Sequence, residues 1–198
     1  MQGAKALPRA FYDRPTEQVA RELLGKRIVH VDGGIVAGRI VETEAYLGEG
    51  DEAAHSFAGV TPRTRVIFGP PGHAYVYFTY GMHYCLNLVA EADGKAGCVL
   101  IRALEPVEGL EQMFERRRRA KTSRDLCSGP GKLTQALGVT LEHYGVDVTQ
   151  GALTVQDASG RAFRTQQGPR IGITRSADLP SASGSATTPS SAGDVVFP

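Results

Sequence analysis

The residues best suited to chemistry in this sequence are one glutamate and the tyrosines that follow it. Five of the seven tyrosines lie between positions 46 and 84, and Glu44 stands just before the first of them. Aromatic rings beside an ionisable group can hold a flat or cationic ring and support acid–base chemistry next to it. The pattern therefore predicts a site for a planar ring, with Glu44 as its candidate general base.

These residues also have purely structural interpretations. Glu44 could stand on the solvent face of a strand, and tyrosines often fill half-buried sheets with their hydroxyls reaching water. Packing is the interpretation that we favour for Tyr75 and Tyr84. Tyr80 is harder to explain as core, because it is predicted at the tip of a turn, and there it could act as a wedge in a nucleic-acid duplex.

Metal binding and covalent catalysis receive less support. His55, His73 and His83 with Glu44 have side chains that suit zinc or iron, but their spacing is not that of paired ligands. No Ser-His-Asp or Cys-His arrangement can be recognised from spacing. We therefore expect no metal and no cofactor, and a metal-dependent hydrolase remains an alternative.

Composition is that of one ordinary globular domain. The chain has 198 residues, of which 41% are hydrophobic and 22% charged, enough to bury a sizeable core. A net charge of +1 creates no global field for nucleic acid, so any phosphate contact must come from a local patch. The three cysteines favour no disulfide framework and no apolar run is long enough for a membrane span. We expect a cytoplasmic protein.

Predicted elements place the candidate residues on a sheet. Residues 14–25 read as a helix, and residues 26–31 and 35–46 as strands of a hairpin around Asp32-Gly33-Gly34. Because strand side chains alternate, Glu44 and Tyr46 share a face. Residues 48–72 form a long loop that carries His55.

The following segments complete the prediction. Strands 74–79 and 82–90 would form a second hairpin with Tyr80 at its tip, followed by a strand at 97–104. Pro106 is expected to open a helix that ends at 116–119, and residues 128–132 to lead into a short helix closed by Gly138. The remaining expectations are an irregular stretch at 141–174 with two or three short strands, and disorder within residues 181–193.

Two groups of residues could contact DNA phosphates. Arg116 and Arg117 open a basic run, although basic residues also suit the end of a helix. Ser128, Gly129 and Lys132 could supply backbone amides and a cation, although the segment lacks the spacing of a phosphate-binding loop.

Several long motifs give this chain a family resemblance. They are ETEAYLG at 42–48, DEAAHS at 51–56, YVYFTYGMHYCLN at 75–87, VLIRALEP at 99–106 and LCSGPGKLTQALG at 126–138. In this order they resemble the alkyladenine (3-methyladenine) DNA glycosylase family. The resemblance implies an α+β fold: a single mixed domain over residues 1–180 with a curved antiparallel β-sheet or open barrel and flanking helices, similar to the C-terminal domain of methionyl-tRNA formyltransferase. It also implies excision of alkylated or deaminated purines from double-stranded DNA, without strand cleavage and by a monomer.

The resemblance assigns roles to matching residues. Glu44 corresponds to the general base that activates water, and Arg102 to a residue that helps hold the water and the backbone. The pocket for the extruded base corresponds to Tyr46, His55, Tyr77 and Asn87, where Asn87 disfavours guanine. Tyr80, with Met82 beside it, corresponds to the group that intercalates into the minor groove.

The chain departs from the family after residue 180. Members generally continue into an aromatic and basic strand, whereas residues 181–198 form a low-complexity tail. A DNA-binding module that has lost turnover is therefore a second hypothesis, although Glu44 and Arg102 are both present.

Overall fold

The computed structural model describes residues 5–48 and 50–157 in full and the backbone of two later strands. Five helices are present in this part: α1 Arg9–Tyr12, α2 Thr16–Leu23, α3 Leu110–Arg116, α4 Ser123–Leu126 and α5 Pro130–Leu137. The strands are β1 Arg27–Val31, β2 Ile35–Leu47, β3 Ala74–Thr79, β4 His83–Val89, β5 Gly97–Glu108, β6 Leu153–Gln156, β7 Arg164–Gly168 and β8 Ser183–Thr187. Short 3₁₀ turns occur at His55–Ala58, Arg65–Phe68 and Leu141–His143.

One antiparallel sheet organises the molecule. Its main path runs in the order β3-β4-β5-β2-β1-β6, and β7 and β8 pair beside β2. The two predicted hairpins, β1–β2 and β3–β4, are both present. The expected α+β fold with a single curled sheet is thus confirmed.

Helices cover the face of the sheet opposite the candidate site. In α2, Val19, Ala20 and Leu23 are fully buried, and Gly25 follows in the left-handed region at φ 85°. In α5, Leu133 and Leu137 are buried, and Gly138 ends the helix at φ 75°. These stops are left-handed glycines, as predicted.

Pro106 does not open a helix, so that prediction was wrong. Strand β5 continues past it to Glu108, and Pro106 lies opposite Gly38 of β2 at an irregularity in the register. A strand tolerates proline at such a place because no ladder hydrogen bond is required from its missing N–H. Helix α3 begins only after Gly109, whose φ of 72° reverses the chain.

Within the segment for which disorder was predicted, Ser183–Thr187 form β8, which pairs with Glu42 and Thr43 of β2. The other residues of the tail lie outside the described part of the chain, and for them disorder stays a prediction. Among the described helices none is long and apolar enough to cross a membrane.

Candidate functional site

Cross-strand pairing brings the predicted residues into one row. Tyr75 of β3 pairs with Asn87 of β4, Asn87 with Leu100 of β5, and Leu100 with Glu44 of β2. Side chains paired across antiparallel strands point to the same face of the sheet. Four strands therefore present Tyr75, Asn87 and Glu44 on one surface, although Glu44 and Asn87 lie 43 positions apart in sequence.

Glu44 is completely buried and held at both oxygens. Its Oε2 accepts a hydrogen bond of 3.0 Å from the Tyr46 hydroxyl, and its Oε1 lies 3.2 Å from Arg102 Nη1. A buried carboxylate needs such partners, since an unpaired charge would be costly to desolvate. The predicted shared face of Glu44 and Tyr46 is therefore present as a direct contact.

Arg102 reaches Glu44 because β5 is irregular there. Glu42 pairs with Ala103 and Thr43 with Ile101, so that Arg102 is an extra residue between two paired positions. Such a bulge re-aims a side chain. Arg102 Nε donates to Glu42 Oε1 at 3.0 Å. Burial lowers the pKa of Arg102, but Glu44 and Glu42 outweigh it and the net pKa is raised.

The other predicted pocket residues form an aromatic cluster. The rings of Tyr75 and Tyr77 stack with their centroids 5.4 Å apart, and His55 meets Tyr77 edge-on at 4.6 Å. His55 Nδ1 lies 2.9 Å from the Tyr75 hydroxyl. Burial, as the main cause, raises the pKa of both tyrosines, so their hydroxyls stay neutral near pH 7.

His55 is a neutral imidazole at physiological pH. Packing of its inner side against the tyrosines and, secondarily, the charge of Arg63 lower its pKa to about 4, although the ring keeps an exposed edge. Arg63 Nη2 lies 2.7 Å from His55 Nε2. The same Nη2 also lies 3.1 Å from His55 Nδ1. Because a guanidinium can only donate, the nearer nitrogen, Nε2, is its acceptor.

Asn87 is buried and fixed in orientation. Its Nδ2 donates to the Tyr75 carbonyl at 3.1 Å, and its Oδ1 lies 4.0 Å from Cys98 Sγ, the limit of a weak S–H contact.

The loop before His55 is anchored by Asp51. This buried side chain accepts hydrogen bonds from the backbone N–H groups of Leu47 and Ala53.

The tip of the β3–β4 hairpin carries the two predicted intercalating residues. Tyr80 is 88% exposed and Met82 70% exposed, which is unusual for side chains of this size. Tyr80 has a φ of 51°, a conformation rare for residues other than glycine. Below the tip, His83 packs so closely on α5 that a Cβ on Gly131 would lie 2.8 Å from its ring.

The residues predicted to contact DNA phosphates lie in two different settings. Arg116 bonds to Asp32 and to the carbonyl of Ala136, and Arg117 donates to the carbonyls of Asp125 and Leu126. These two arginines close helix ends rather than face outward. Ser128, Gly129 and Lys132 do lie together at the start of α5, where Lys132 Nζ contacts Ser128 Oγ at 2.9 Å.

Two neighbours of the site were not identified from sequence. Glu42 shares the face of Glu44 in the alternation, but its bond to Arg102 depends on the bulge. No local sequence pattern points to Arg63, because it lies on an irregular loop.

The metal-dependent alternative finds no ligand set in the described part of the chain. The described side chains contain no group of three or more His, Cys, Asp or Glu that could hold an ion.

Comparison with known proteins agrees with this geometry. The family model described as methylpurine-DNA glycosylase matches residues 10–182. A protein of Chlorobaculum parvum is 52% identical over 179 residues, covering 89% of this chain and 85% of its own. One of Burkholderia lata is 52% identical over 177 residues, covering 88% and 84%, and one of Methanoculleus marisnigri is 51% identical over 178 residues, covering 88% and 92%.

The curated names of these three relatives describe them provisionally as 3-methyladenine DNA glycosylases. The family match spans the whole candidate site, from Glu42 on β2 to Lys132 at the start of α5. With more than half of its residues covered by the model, the chain belongs to the methylpurine-DNA glycosylase family.

Proposed function

We propose that this chain flips a damaged purine out of duplex DNA and hydrolyses its N-glycosidic bond with a water molecule activated by Glu44. As a member of its family, the chain is a DNA glycosylase that acts in base excision repair of alkylated purines. The observation that carries the detailed proposal is the row that sets buried Glu44 on the same face as the aromatic cluster. We propose that the chain acts as a monomer. Because its substrate is DNA, we also propose that it acts at the nucleoid.

Base flipping is required because the bond to be cut cannot be reached inside a stacked duplex. Tyr46 on one side, and His55 with Tyr77 on the other, would sandwich the extruded base. Exposed Tyr80 would fill the gap left in the stack, with Met82 beside it. The cost of flipping, a few kcal/mol, is smallest for a damaged pair, which favours lesions from the start.

The charges around Glu44 suit hydrolysis. Glu42 and Glu44 share the single cation of Arg102, so the three side chains together carry a net charge of −1. A negative cluster stabilises the positive charge that develops on the sugar as the base departs. Glu44 can then orient water and take its proton. A single reacting carboxylate suffices for an alkylated base that is already cationic and leaves readily, whereas ordinary glycosidases need a second acid. A neutral base such as hypoxanthine must in addition take up a proton from water as it leaves.

Glu44 has no exposed surface in the free chain, so water must reach it when pocket side chains move to admit the base. Asn87, fixed by Tyr75, would then meet the edge of the base and disfavour the exocyclic amine of guanine. Ser128, Gly129 and Lys132 would hold a phosphate at the start of α5.

The test is single-turnover excision of hypoxanthine from a duplex oligonucleotide by the wild type and by Glu44→Gln. We expect the variant to bind the damaged duplex normally and to lose roughly 100-fold or more of its excision rate. Glu105→Gln is the matched control, because Glu105 pairs with Arg39 away from the site; it should excise like the wild type.

Three results would contradict the proposal. A wild type that binds damaged duplex but never excises would support the binding-module hypothesis. Full activity of Glu44→Gln would remove the mechanism, and activity lost on EDTA treatment and restored by metal would favour the metal-dependent hydrolase.

A further inference from the structure

Arg63 places a cation against the aromatic cluster. Its Cζ lies over the Tyr77 ring, 5.2 Å from the centroid. Its Nε donates to the Tyr75 hydroxyl at 3.3 Å, and its Nη2 donates to His55 Nε2 at 2.7 Å. The guanidinium therefore contacts three of the side chains that line one wall of the proposed base pocket.

The loop holds the backbone on the C-terminal side of Arg63. Thr64 is buried, and its hydroxyl donates to the carbonyl of Gly59 at 2.9 Å. The backbone N–H of Thr61 donates to the same hydroxyl at 2.9 Å. Arg63 thus extends from a closed turn, and its contacts with the rings come from a defined position rather than from a freely moving segment.

Nothing among the described side chains neutralises this cation by an ion pair. Its three ring partners are themselves neutral near pH 7: His55 has a pKa of about 4, and the pKa values of Tyr75 and Tyr77 are raised. A full positive charge is therefore held against a wall, formed by these three side chains, that carries no charge of its own, whereas the charged side chains of Glu42, Glu44 and Arg102 lie on β2 and β5.

We propose that Arg63 is a specificity-determining residue that biases the pocket toward uncharged damaged purines and against purines that carry a positive charge. This inference rests on the proposed function. Electron-rich rings alone would favour a cationic methylated base. Arg63 already makes the cation–π contact with the Tyr77 ring, and a second cation stacked there would be repelled across a few ångströms. Solvent reaches the exposed Arg63 side chain and screens part of this repulsion.

The experiment compares two substrates in the same duplex: hypoxanthine, which is neutral, and 7-methylguanine, which is cationic. Single-turnover rates are measured for the wild type, Arg63→Gln, Arg63→Lys and Arg65→Gln. The quantity of interest is the rate for 7-methylguanine divided by that for hypoxanthine. Comparing this ratio between proteins cancels the intrinsic difference in how easily the two bases leave.

Removal of the charge should raise the ratio by about threefold to tenfold in Arg63→Gln, the range expected for one screened charge at this distance. Arg63→Lys keeps the charge but not all the contacts of the planar guanidinium, so it should change the ratio less than Arg63→Gln does. Arg65→Gln removes an exposed cation from the same loop and should also leave the ratio unchanged.

Equal loss of both rates in Arg63→Gln would overturn the inference, because it would mean that Arg63 orders the loop or binds a phosphate without distinguishing bases. A raised ratio in Arg65→Gln would also overturn it, since a general field rather than this contact would then be responsible. Failure of the wild type to excise either base would instead refute the proposed function, so the two failures are distinguishable.

Discussion

Arg102 and Glu42 are joined by a hydrogen bond of 3.0 Å from Nε to Oε1, and the same guanidinium reaches Glu44 with Nη1 at 3.2 Å. Glu42 therefore fixes the plane of the Arg102 guanidinium, which contacts Glu44, the proposed general base. Of the two carboxylates, only Glu44 also bonds to a tyrosine of the proposed pocket. This division suggests a positioning role for Glu42 and a chemical role for Glu44.

The first prediction concerns Glu42. Glu42→Ala should lower the single-turnover excision rate about tenfold, because Arg102 Nε loses its acceptor and the guanidinium can rotate away from Glu44. Glu42→Gln keeps an acceptor oxygen and should lose less. Glu108→Gln, in the surface ion pair with Arg27, serves as the control and should keep the wild-type rate. Equal rates for Glu42→Ala and the wild type would contradict the positioning role.

The second prediction concerns Tyr80, which is held at φ 51°. A left-handed conformation costs a residue other than glycine about 1 kcal/mol. Tyr80→Gly should therefore keep or slightly raise the melting temperature while it abolishes the wedge. Fluorescence of a reporter base opposite the lesion should show weaker flipping in this variant than in the wild type. Unchanged flipping would exclude the wedge role, and a large loss of stability would show that Tyr80 is part of the packing.

The third prediction separates structural arginines from DNA-binding ones. Arg117 donates to two backbone carbonyls at 2.6 and 2.8 Å, so Arg117→Ala should destabilise the fold by about 1–3 kcal/mol. Arg118→Ala should leave stability nearly unchanged and, if the basic run meets phosphates, reduce the salt dependence of duplex binding by about one ion. Thermal melts and binding at several salt concentrations measure both. A normal melting temperature for Arg117→Ala would contradict the structural assignment.

The fourth prediction concerns pH and a histidine pair outside the site. The backbone N–H of Thr140 donates to His143 Nδ1 at 3.1 Å, His143 Nε2 lies 3.1 Å from His30 Nε2, and His30 Nδ1 lies 2.8 Å from the Leu137 carbonyl. One proton on each ring satisfies this chain of contacts. Burial and then His30 lower the pKa of His143, and these outweigh Thr140, Glu142 and Asp32, which act in the opposite direction.

Because the pKa of His143 is lower in the folded chain than in the unfolded one, the unfolded chain binds more protons below its ordinary value of about 6.5. Stability should be greatest above that pH and decrease as the pH falls toward the folded pKa. The decrease in melting temperature between about pH 7 and pH 5 should be smaller in His143→Gln. An identical decrease in both proteins would show that His143 does not contribute.

Local sequence patterns predicted much of the architecture. The first hairpin follows from Asp32-Gly33-Gly34 between two alternating strands, and α5 follows from Pro130 and Gly138 at its ends. The continuation of β5 through Pro106 was missed, because pairing with β2 is a long-range interaction that overrides the local preference of proline for a helix start.

Sequence patterns likewise predicted some features of the candidate site and missed others. Alternation predicted the shared face of Glu44 and Tyr46, and the turn predicted the exposed position of Tyr80. The reach of Arg102 toward two carboxylates needs a bulge that no spacing rule reveals. The contact of Arg63 with Tyr77 depends on the path of an irregular loop, for which the sequence offers no periodicity.

The contact between His83 and Gly131 leaves no room for even a methyl group. His83 begins β4 and Gly131 lies in the first turn of α5, so the hairpin that carries Tyr80 and the helix that carries Lys132 meet at this point. A residue larger than glycine at position 131 would have to displace the His83 ring. The separation of two proposed DNA contacts, Tyr80 and Lys132, therefore depends on a residue that has no side chain.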